Sequence, residues 1–94
     1  MGQAVDRATV TFRGTVQGVG FRFTVKRLAT AYPSVSGQIR NLSDGTVELL
    51  AEGPKENISG LIIAISEHMQ DYVSSTEQAW STGPREFEGF SIGF

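Results

Sequence analysis

Two glycines and an arginine, at positions 18, 20 and 22 of this 94-residue chain, have the residue types and spacing of a site for a small anion. Glycine lets the backbone turn tightly and lets a ligand approach its N–H groups closely. Free N–H groups at the start of a helix attract negative charge. Arg22 lies in the first helical turn, where the helix dipole disfavours a cation, and such a broken rule often marks a functional site. A structural turn with a surface arginine is the alternative.

The loop fits neither of the common nucleotide-binding patterns. A Walker A loop is excluded because no Gly-Lys-Ser/Thr follows, and the dinucleotide fingerprint lacks its third glycine. A compact anion such as phosphate, sulfate or carboxylate fits better. Asn41 is a second candidate, because its amide donates and accepts hydrogen bonds without changing charge, which suits orienting a water or a phosphate oxygen. A local hydrogen bond at a strand end is the alternative for Asn41.

Composition excludes several other chemistries. The chain has no cysteine, so disulfides, thiolate zinc sites and cysteine nucleophiles are excluded. The single histidine, His68, has no neighbour that makes it a catalytic base, and we predict a solvated helix-end residue. No acidic pair or histidine cluster suggests a metal site.

Charge is unevenly distributed along the chain. Residues 1–43 carry a net charge of +5 and residues 44–94 carry −7. The first part can therefore hold a locally positive anion site, whereas the acidic total disfavours nucleic acid. We assign Arg13, Lys26 and Arg27 to solvated surface. No stretch is long enough to span a membrane and no signal peptide is apparent, so we expect a cytoplasmic protein.

Periodicity predicts the elements that position these residues. Apolar residues alternate over 8–16, which predicts a half-buried strand, and recur at helical spacing over 21–32, where Pro33 ends the helix. Asp44-Gly45 between two extended runs predicts a hairpin. The remaining predicted elements are a helix with Pro54 at its first position, strands over 72–80 and 87–94, and a turn at Thr82-Gly83-Pro84.

The predicted order is β-α-β-β-α-β plus a terminal strand, which indicates an α+β domain. Right-handed crossovers give an antiparallel sheet of the split β-α-β type, with strands one and three at its centre and both helices on one face. This topology brings the glycine loop towards the end of strand two. We predict a flexible N-terminal arm over residues 1–7 and a single domain over residues 8–94, with Trp80 and the phenylalanines mostly in the core. The C-terminal edge strand, over residues 90–94, could pair with another chain.

Two ordered motifs resemble a known family. The run Gly-Thr-Val-Gln-Gly-Val-Gly-Phe-Arg over residues 14–22 closely resembles the signature loop of the acylphosphatases. The run over residues 37–48 resembles that family's second motif, Gly-x-Val-x-Asn-x-x-Asp-Gly-x-Val. The final Gly-Phe-Ser-Ile over residues 89–92 also agrees. Two departures lie outside these motifs: the link over residues 32–36 is about one residue longer, and a Gly-Pro is missing after the second helix.

The resemblance implies a ferredoxin-like fold and hydrolysis of acyl phosphates to a carboxylate and inorganic phosphate, without metal or cofactor. It implies that Asn41 positions the attacking water. It also implies that the phosphate is bound by Arg22 and by the backbone amides of Gln17, Gly18, Val19, Gly20 and Phe21.

The expected partner is a small-molecule acyl phosphate, and phosphate or sulfate should occupy the site. We expect a monomer that binds neither nucleic acid nor membrane. A non-catalytic regulatory domain that binds phosphate or carbamoyl phosphate is the alternative, because one fold hosts many functions. An RNA-binding domain of the same topology is disfavoured, since it would need a basic surface and exposed aromatic residues on the sheet.

Overall fold

A computed structural model describes residues 4–93 and contains two helices and five strands in the predicted order. Along the chain these are β1 (Ala4–Gly14), α1 (Phe21–Ala29), β2 (Ser36–Asn41), β3 (Val47–Gly53), α2 (Lys55–His68), β4 (Val73–Pro84) and β5 (Phe90–Ile92). Neither helix is long and apolar enough to cross a bilayer.

The five strands form one sheet in the order β4-β1-β3-β2-β5. The predicted pairing of strands one and three at the centre is confirmed, with Val10 opposite Leu49 in antiparallel register. The Asp-Gly hairpin is also confirmed, because β2 and β3 pair antiparallel around it. β5 instead runs parallel to β2, with Gly37 opposite Phe90, so the sheet is antiparallel except at that edge. The ends of β1 and β2 that flank the glycine loop thus lie at the same end of the sheet.

One face of the sheet is covered by both helices, and the core lies between them and the strands. α1 buries Phe21, Val25 and Ala29, and the rings of Phe21 and Phe12 lie 5.1 Å apart. That contact fixes the start of α1 against β1. Other large buried side chains include Val10, Ile39, Leu49, Ile58, Leu61 and Ile65.

Several element boundaries differ from the sequence predictions. β1 begins at Ala4 rather than Ala8, because residues 4–7 pair with β4 and Asp6 and Arg7 also pair with β3. That part of the predicted flexible arm is therefore strand, and residues 1–3 lie outside the described residues. α1 ends at Ala29, because the hydroxyl and N–H of Thr30 both turn back to the oxygen of Arg27.

The predicted turn at residues 82–84 is wrong. These residues are the last part of β4, since the longer β1 gives them a partner: Ala4 lies opposite Pro84. The connection to β5 is formed instead by residues 85–89. β5 covers residues 90–92, and Phe94 of the predicted strand lies outside the described residues.

A buried carboxylate fastens this connection to the sheet. Glu52 is fully buried, accepts hydrogen bonds from the Arg7 guanidinium at 2.6 and 3.0 Å, and accepts others from the N–H groups of Glu86 and Phe87 at 2.8 and 2.9 Å. Burial alone would raise the pKa of Glu52, but these hydrogen bonds outweigh it and lower the pKa. The hydrogen bond between Arg7 and Glu52 also raises the pKa of Arg7.

Candidate active site

The loop between β1 and α1 has the backbone geometry that its glycines allow. Gly20 precedes the helix in the left-handed conformation, with φ 78° and ψ 19°, and Gly18 has φ 79°. A residue with a Cβ is strained at such backbone angles, so glycine is strongly favoured at both positions. No side chain of residues 4–93 caps the helix, and its first turn has no acidic residue. The positive end of the helix is therefore left for another group.

Several backbone donors at this loop have no partner among the described residues. Throughout residues 4–93, no acceptor takes a hydrogen bond from the N–H groups of residues 17–23. The first helical bond is donated by Thr24 to the oxygen of Gly20 at 3.0 Å. Unpaired N–H groups in a glycine-rich loop before a helix are typical of an anion site.

A cavity of about 220 Å³ opens at this point. Arg22 and Asn41 both line it, which brings together the two residues that sequence analysis selected from separate motifs. Its full lining is Val16, Gly18, Gly20, Phe21, Arg22, Phe23 and Asn41. Two other clefts, of about 250 and 260 Å³, are slightly larger, but no arginine lines the first, and Asp6 lines the second together with Arg85. Chemistry rather than size therefore distinguishes the site.

Arg22 carries a charge that no acidic side chain of the described residues neutralises. Its Nη1 donates to the backbone oxygen of Gly93 at 3.3 Å, and the side chain is half-buried. Gly93 in turn donates its N–H to the oxygen of Ile39 at 2.7 Å, which ties it to β2. By contrast, carboxylates lie beside the guanidinium groups of Arg7, Arg13 and Arg40. Arg22 is thus oriented by a carbonyl and has no carboxylate side chain beside it within residues 4–93.

Asn41 is the last residue of β2 and is half-buried. Its side chain makes no hydrogen bond to any other residue in the range 4–93, so the local strand-end bond considered as the alternative is not formed there. The hairpin is closed by other groups: Leu42 donates its N–H to the oxygen of Thr46 at 2.9 Å. The amide of Asn41 is therefore left to face the cavity that it lines.

Asp44 stabilises the turn beside Asn41. Its Oδ1 accepts hydrogen bonds from the hydroxyl of Thr46 at 2.6 Å and from the N–H of Thr46 at 3.0 Å. The hydroxyl bond first, and then the N–H bond, lower the pKa of Asp44. An ionised Asp44 therefore helps to hold the turn at neutral pH.

Two members of the predicted phosphate loop do not line the cavity. The Nε2 of Gln17 donates to the backbone oxygens of Leu42 and Thr46, at 2.8 and 2.9 Å, so this side chain joins the loop to the hairpin. Val19 packs partly against the core. Gly18, Gly20 and Phe21 do line the cavity, so the predicted loop divides into residues at the site and residues that hold it.

Sequence analysis missed two residues at the site. Phe23 was assigned to the core with the other phenylalanines, yet it is 71% exposed and lines the cavity. Helical spacing could have found it, because Phe23 lies off the buried stripe of Phe21 and Val25. Gly93 contacts Arg22 across the fold, and no local signal marks it. His68 is exposed at the end of α2, as predicted, with its Nδ1 3.2 Å from the oxygen of Ala64.

Metal ligands do not converge in the described part of the chain. Within residues 4–93 there is no group of three or more His, Asp or Glu side chains arranged to hold a metal ion. A requirement for metal is a matter for direct assay.

Comparisons with known proteins agree with the motifs. A sequence model of the family described as Acylphosphatase matches residues 8–92. An acylphosphatase from Streptomyces coelicolor is 37% identical over 87 residues, which cover 92% of this chain and 94% of the relative. One from Caldivirga maquilingensis is 40% identical over 96 residues, covering 100% of this chain and 99% of the relative.

Solved structures give the same result at the level of the fold. The crystal structure of acylphosphatase from Bacillus subtilis matches with a TM-score of 0.83 and 29% identity, covering 95% of this chain and 99% of that one. The crystal structure of HypF from T. kodakarensis matches with a TM-score of 0.75 and 29% identity. That match covers 93% of this chain but only 11% of the HypF chain. The same ferredoxin-like fold therefore occurs both alone and inside a much longer protein.

Proposed function

This chain belongs to the acylphosphatase family of hydrolases, and from that premise we propose that Arg22, Asn41 and the loop over residues 17–21 carry out the hydrolysis of an acyl phosphate. The observation that supports this most directly is the shared cavity. It combines an arginine without an acidic partner in the described residues, a carboxamide, and unpaired backbone N–H groups.

The phosphoryl group binds at the start of α1. Its oxygens accept hydrogen bonds from the loop N–H groups and from the guanidinium of Arg22. A guanidinium group suits phosphate because it presents several N–H donors in one plane. In the transition state, negative charge spreads over the phosphoryl oxygens. Donors that are already in place stabilise that charge without reorganisation, which lowers the barrier.

Asn41 orients the nucleophile. Its carboxamide oxygen accepts a hydrogen bond from a water, and its N–H group can donate to the water or to a phosphoryl oxygen. Holding the water in line with the scissile bond removes much of the entropic barrier to a reaction between two molecules. Asn41 is therefore a positioning group rather than a base.

The leaving group makes a strong acid unnecessary. The oxygen of water forms a new bond to phosphorus while the bond from phosphorus to the acyl oxygen breaks. The acyl oxygen takes the electron pair and departs as a carboxylate, which is stable at neutral pH without protonation. The water's proton passes to a phosphate oxygen or to solvent. The products are a carboxylate and inorganic phosphate, and the scheme uses no metal or cofactor.

Hydrolysis of benzoyl phosphate by purified protein in the presence of EDTA tests the proposal. We expect metal-independent turnover, and we expect Arg22→Ala and Asn41→Ala each to lower kcat/KM by about a hundredfold or more. Arg27→Ala and Asn57→Ala are matched controls, because these residues lie on the helices away from the cavity. Full activity of Asn41→Ala in a folded protein would contradict the assigned role.

Isotope labelling tests which atom the water attacks. In water enriched in oxygen-18, attack at phosphorus places the label in inorganic phosphate and leaves the carboxylate unlabelled. Label in the carboxylate would mean attack at the carbonyl carbon, and the arrangement proposed around Arg22 would then be wrong.

A second candidate is a non-catalytic domain that binds phosphate or carbamoyl phosphate. The similarity to a small part of a HypF chain supports this second candidate, because the same fold there is embedded in a larger protein. Binding of inorganic phosphate by calorimetry, together with no turnover of acyl phosphates, would support this candidate over the enzyme.

A monomer in the cytoplasm is also part of the proposal. The monomer is supported by the site itself, since Arg22, Asn41 and the loop come from one chain. Light scattering during size-exclusion chromatography measures the oligomeric state. Cell fractionation measures the location.

A further inference from the structure

Phe23 has an unusual exposure for a large apolar residue. Among large hydrophobic residues of the described chain that are exposed, it leaves 71% of its surface in solvent, against 58% for Ile63 and 41% for Tyr72. Burying a phenylalanine is normally favourable, so its exposure leaves free energy available to a ligand. Whether that ligand can be the substrate depends on where Phe23 lies relative to the candidate active site.

Phe23 lies directly at the candidate active site. It follows Arg22 in the first turn of α1 and lines the same cavity as Arg22 and Asn41. The other large apolar residues of the lining are Val16 and Phe21, which are only 1% and 2% exposed. Phe23 is therefore the residue of this lining that can offer substantial apolar surface.

An acyl phosphate has two chemically different ends. If the phosphoryl group binds to the loop amides and Arg22, the acyl group must extend from it along the cavity wall or out of its mouth. Arg22 is the only charged residue that lines this cavity in the described part of the chain. An acyl group beside Phe23 therefore meets an aromatic surface rather than a charge, which favours aromatic or bulky apolar acyl groups.

We propose that Phe23 is a specificity-determining residue that contacts the acyl group, and that this enzyme favours acyl phosphates with aromatic or large apolar acyl groups over acetyl phosphate. The inference rests on the function proposed above. The Phe23 ring is apolar and makes no hydrogen bond to the phosphate or the water, so the contribution of the side chain falls on the acyl end alone.

Steady-state kinetics with two substrates test it. We expect Phe23→Ala to lower kcat/KM for benzoyl phosphate about fivefold, which is within the range of one aromatic contact, mainly through KM. We expect less than a twofold change for acetyl phosphate, which has too little surface to reach the ring. Phe23→Tyr should retain the preference, because it keeps the ring. Ile63→Ala, on α2, is the matched control for losing an exposed apolar side chain.

The outcomes separate the two proposals. If the wild-type protein hydrolyses neither substrate, the proposed function fails, and this inference fails with it. If the wild type hydrolyses both substrates but Phe23→Ala lowers both equally, or neither, the acyl contact is wrong and the proposed function stands. Circular dichroism of each variant confirms that the fold is intact.

Discussion

Gln17 and Thr46, 29 residues apart, are joined by a hydrogen bond of 2.9 Å from the side-chain amide of Gln17 to the backbone oxygen of Thr46. A second bond from the same nitrogen reaches Leu42 at 2.8 Å. Together they connect the loop before α1 to the hairpin that follows Asn41. The side chain of Gln17, whose backbone amide was predicted to bind phosphate, thus joins the two halves of the site.

Removing this connection should impair catalysis more than stability. We expect Gln17→Ala to lower kcat/KM about tenfold, because small displacements of positioned groups cost large factors in rate. The free energy of unfolding should fall by only about 1 kcal/mol, as is typical for lost hydrogen bonds. Gln17→Glu should be worse, since a carboxylate cannot donate to two carbonyl oxygens. Enzyme kinetics and urea unfolding measure both quantities.

Gln70→Ala is the control for Gln17, because Gln70 is exposed in the turn after α2. Unchanged kcat/KM in Gln17→Ala would mean that the loop holds its position without the hairpin.

The left-handed backbone conformation of Gly20 predicts that an added side chain lowers both stability and activity. Apart from Gly20 and its chain neighbours, no heavy atom of residues 4–93 lies within 4 Å of the place where a Cβ would be added, so Gly20→Ala meets strain from φ rather than a clash. We expect a loss of about 1 kcal/mol in the free energy of unfolding and a fall of about tenfold in kcat/KM, because the loop amides shift.

Gly89 offers a matched control for this strain. It has φ 66°, and its Cβ position is also open, but it lies in the connection before β5 and does not line the cavity. Gly89→Ala should show a similar loss of stability with unchanged kcat/KM. Equal kinetic losses in both variants would show that strain alone, and not the loop position, reduces activity.

Glu52 should matter for stability and not for catalysis. It lies near the end of β3, opposite the end of the sheet that carries the cavity. Glu52→Gln removes the charge that Arg7 neutralises and weakens the acceptor for two backbone N–H groups. We expect the free energy of unfolding to fall by about 2 kcal/mol, while kcat per folded molecule is unchanged. Denaturant unfolding and kinetics on the same preparation measure this, and a matching fall in kcat would link the two ends of the sheet.

The lowered pKa of Glu52 predicts how stability depends on pH. A carboxylate whose pKa is lower in the folded state stabilises the fold fully above its unfolded pKa, about 4.5 for Glu52, and this contribution is lost as pH falls through the folded pKa. The free energy of unfolding of the wild type should therefore decrease below about pH 4 more steeply than that of Glu52→Gln. Asp44, whose pKa is also lowered, contributes equally in both proteins and cancels in the comparison. Parallel curves would show that the Arg7 pair does not couple to folding.

Local patterns in the amino-acid sequence determine much of this protein. Alternation and helical spacing predict the element order, because one buried face imposes a period of two on a strand and 3.6 on a helix. The Asp44-Gly45 turn is a property of four neighbouring residues, and so is the loop at Gly18 and Gly20. Arg22 and Asn41 can also be selected from the sequence, because each lies in a short local motif.

Features that depend on contacts between residues distant in the sequence were decided only by the tertiary structure. The extension of β1 to Ala4 needed β3 and β4 as partners, and no local pattern encodes a partner. The burial of Glu52 depends on Arg7 and on the connection over residues 85–89. The contacts of Gln17 with Thr46 and of Gly93 with Arg22 likewise join residues far apart in the sequence. These contacts arise only when the chain is folded, because the groups that satisfy a buried donor or charge come from segments far along it.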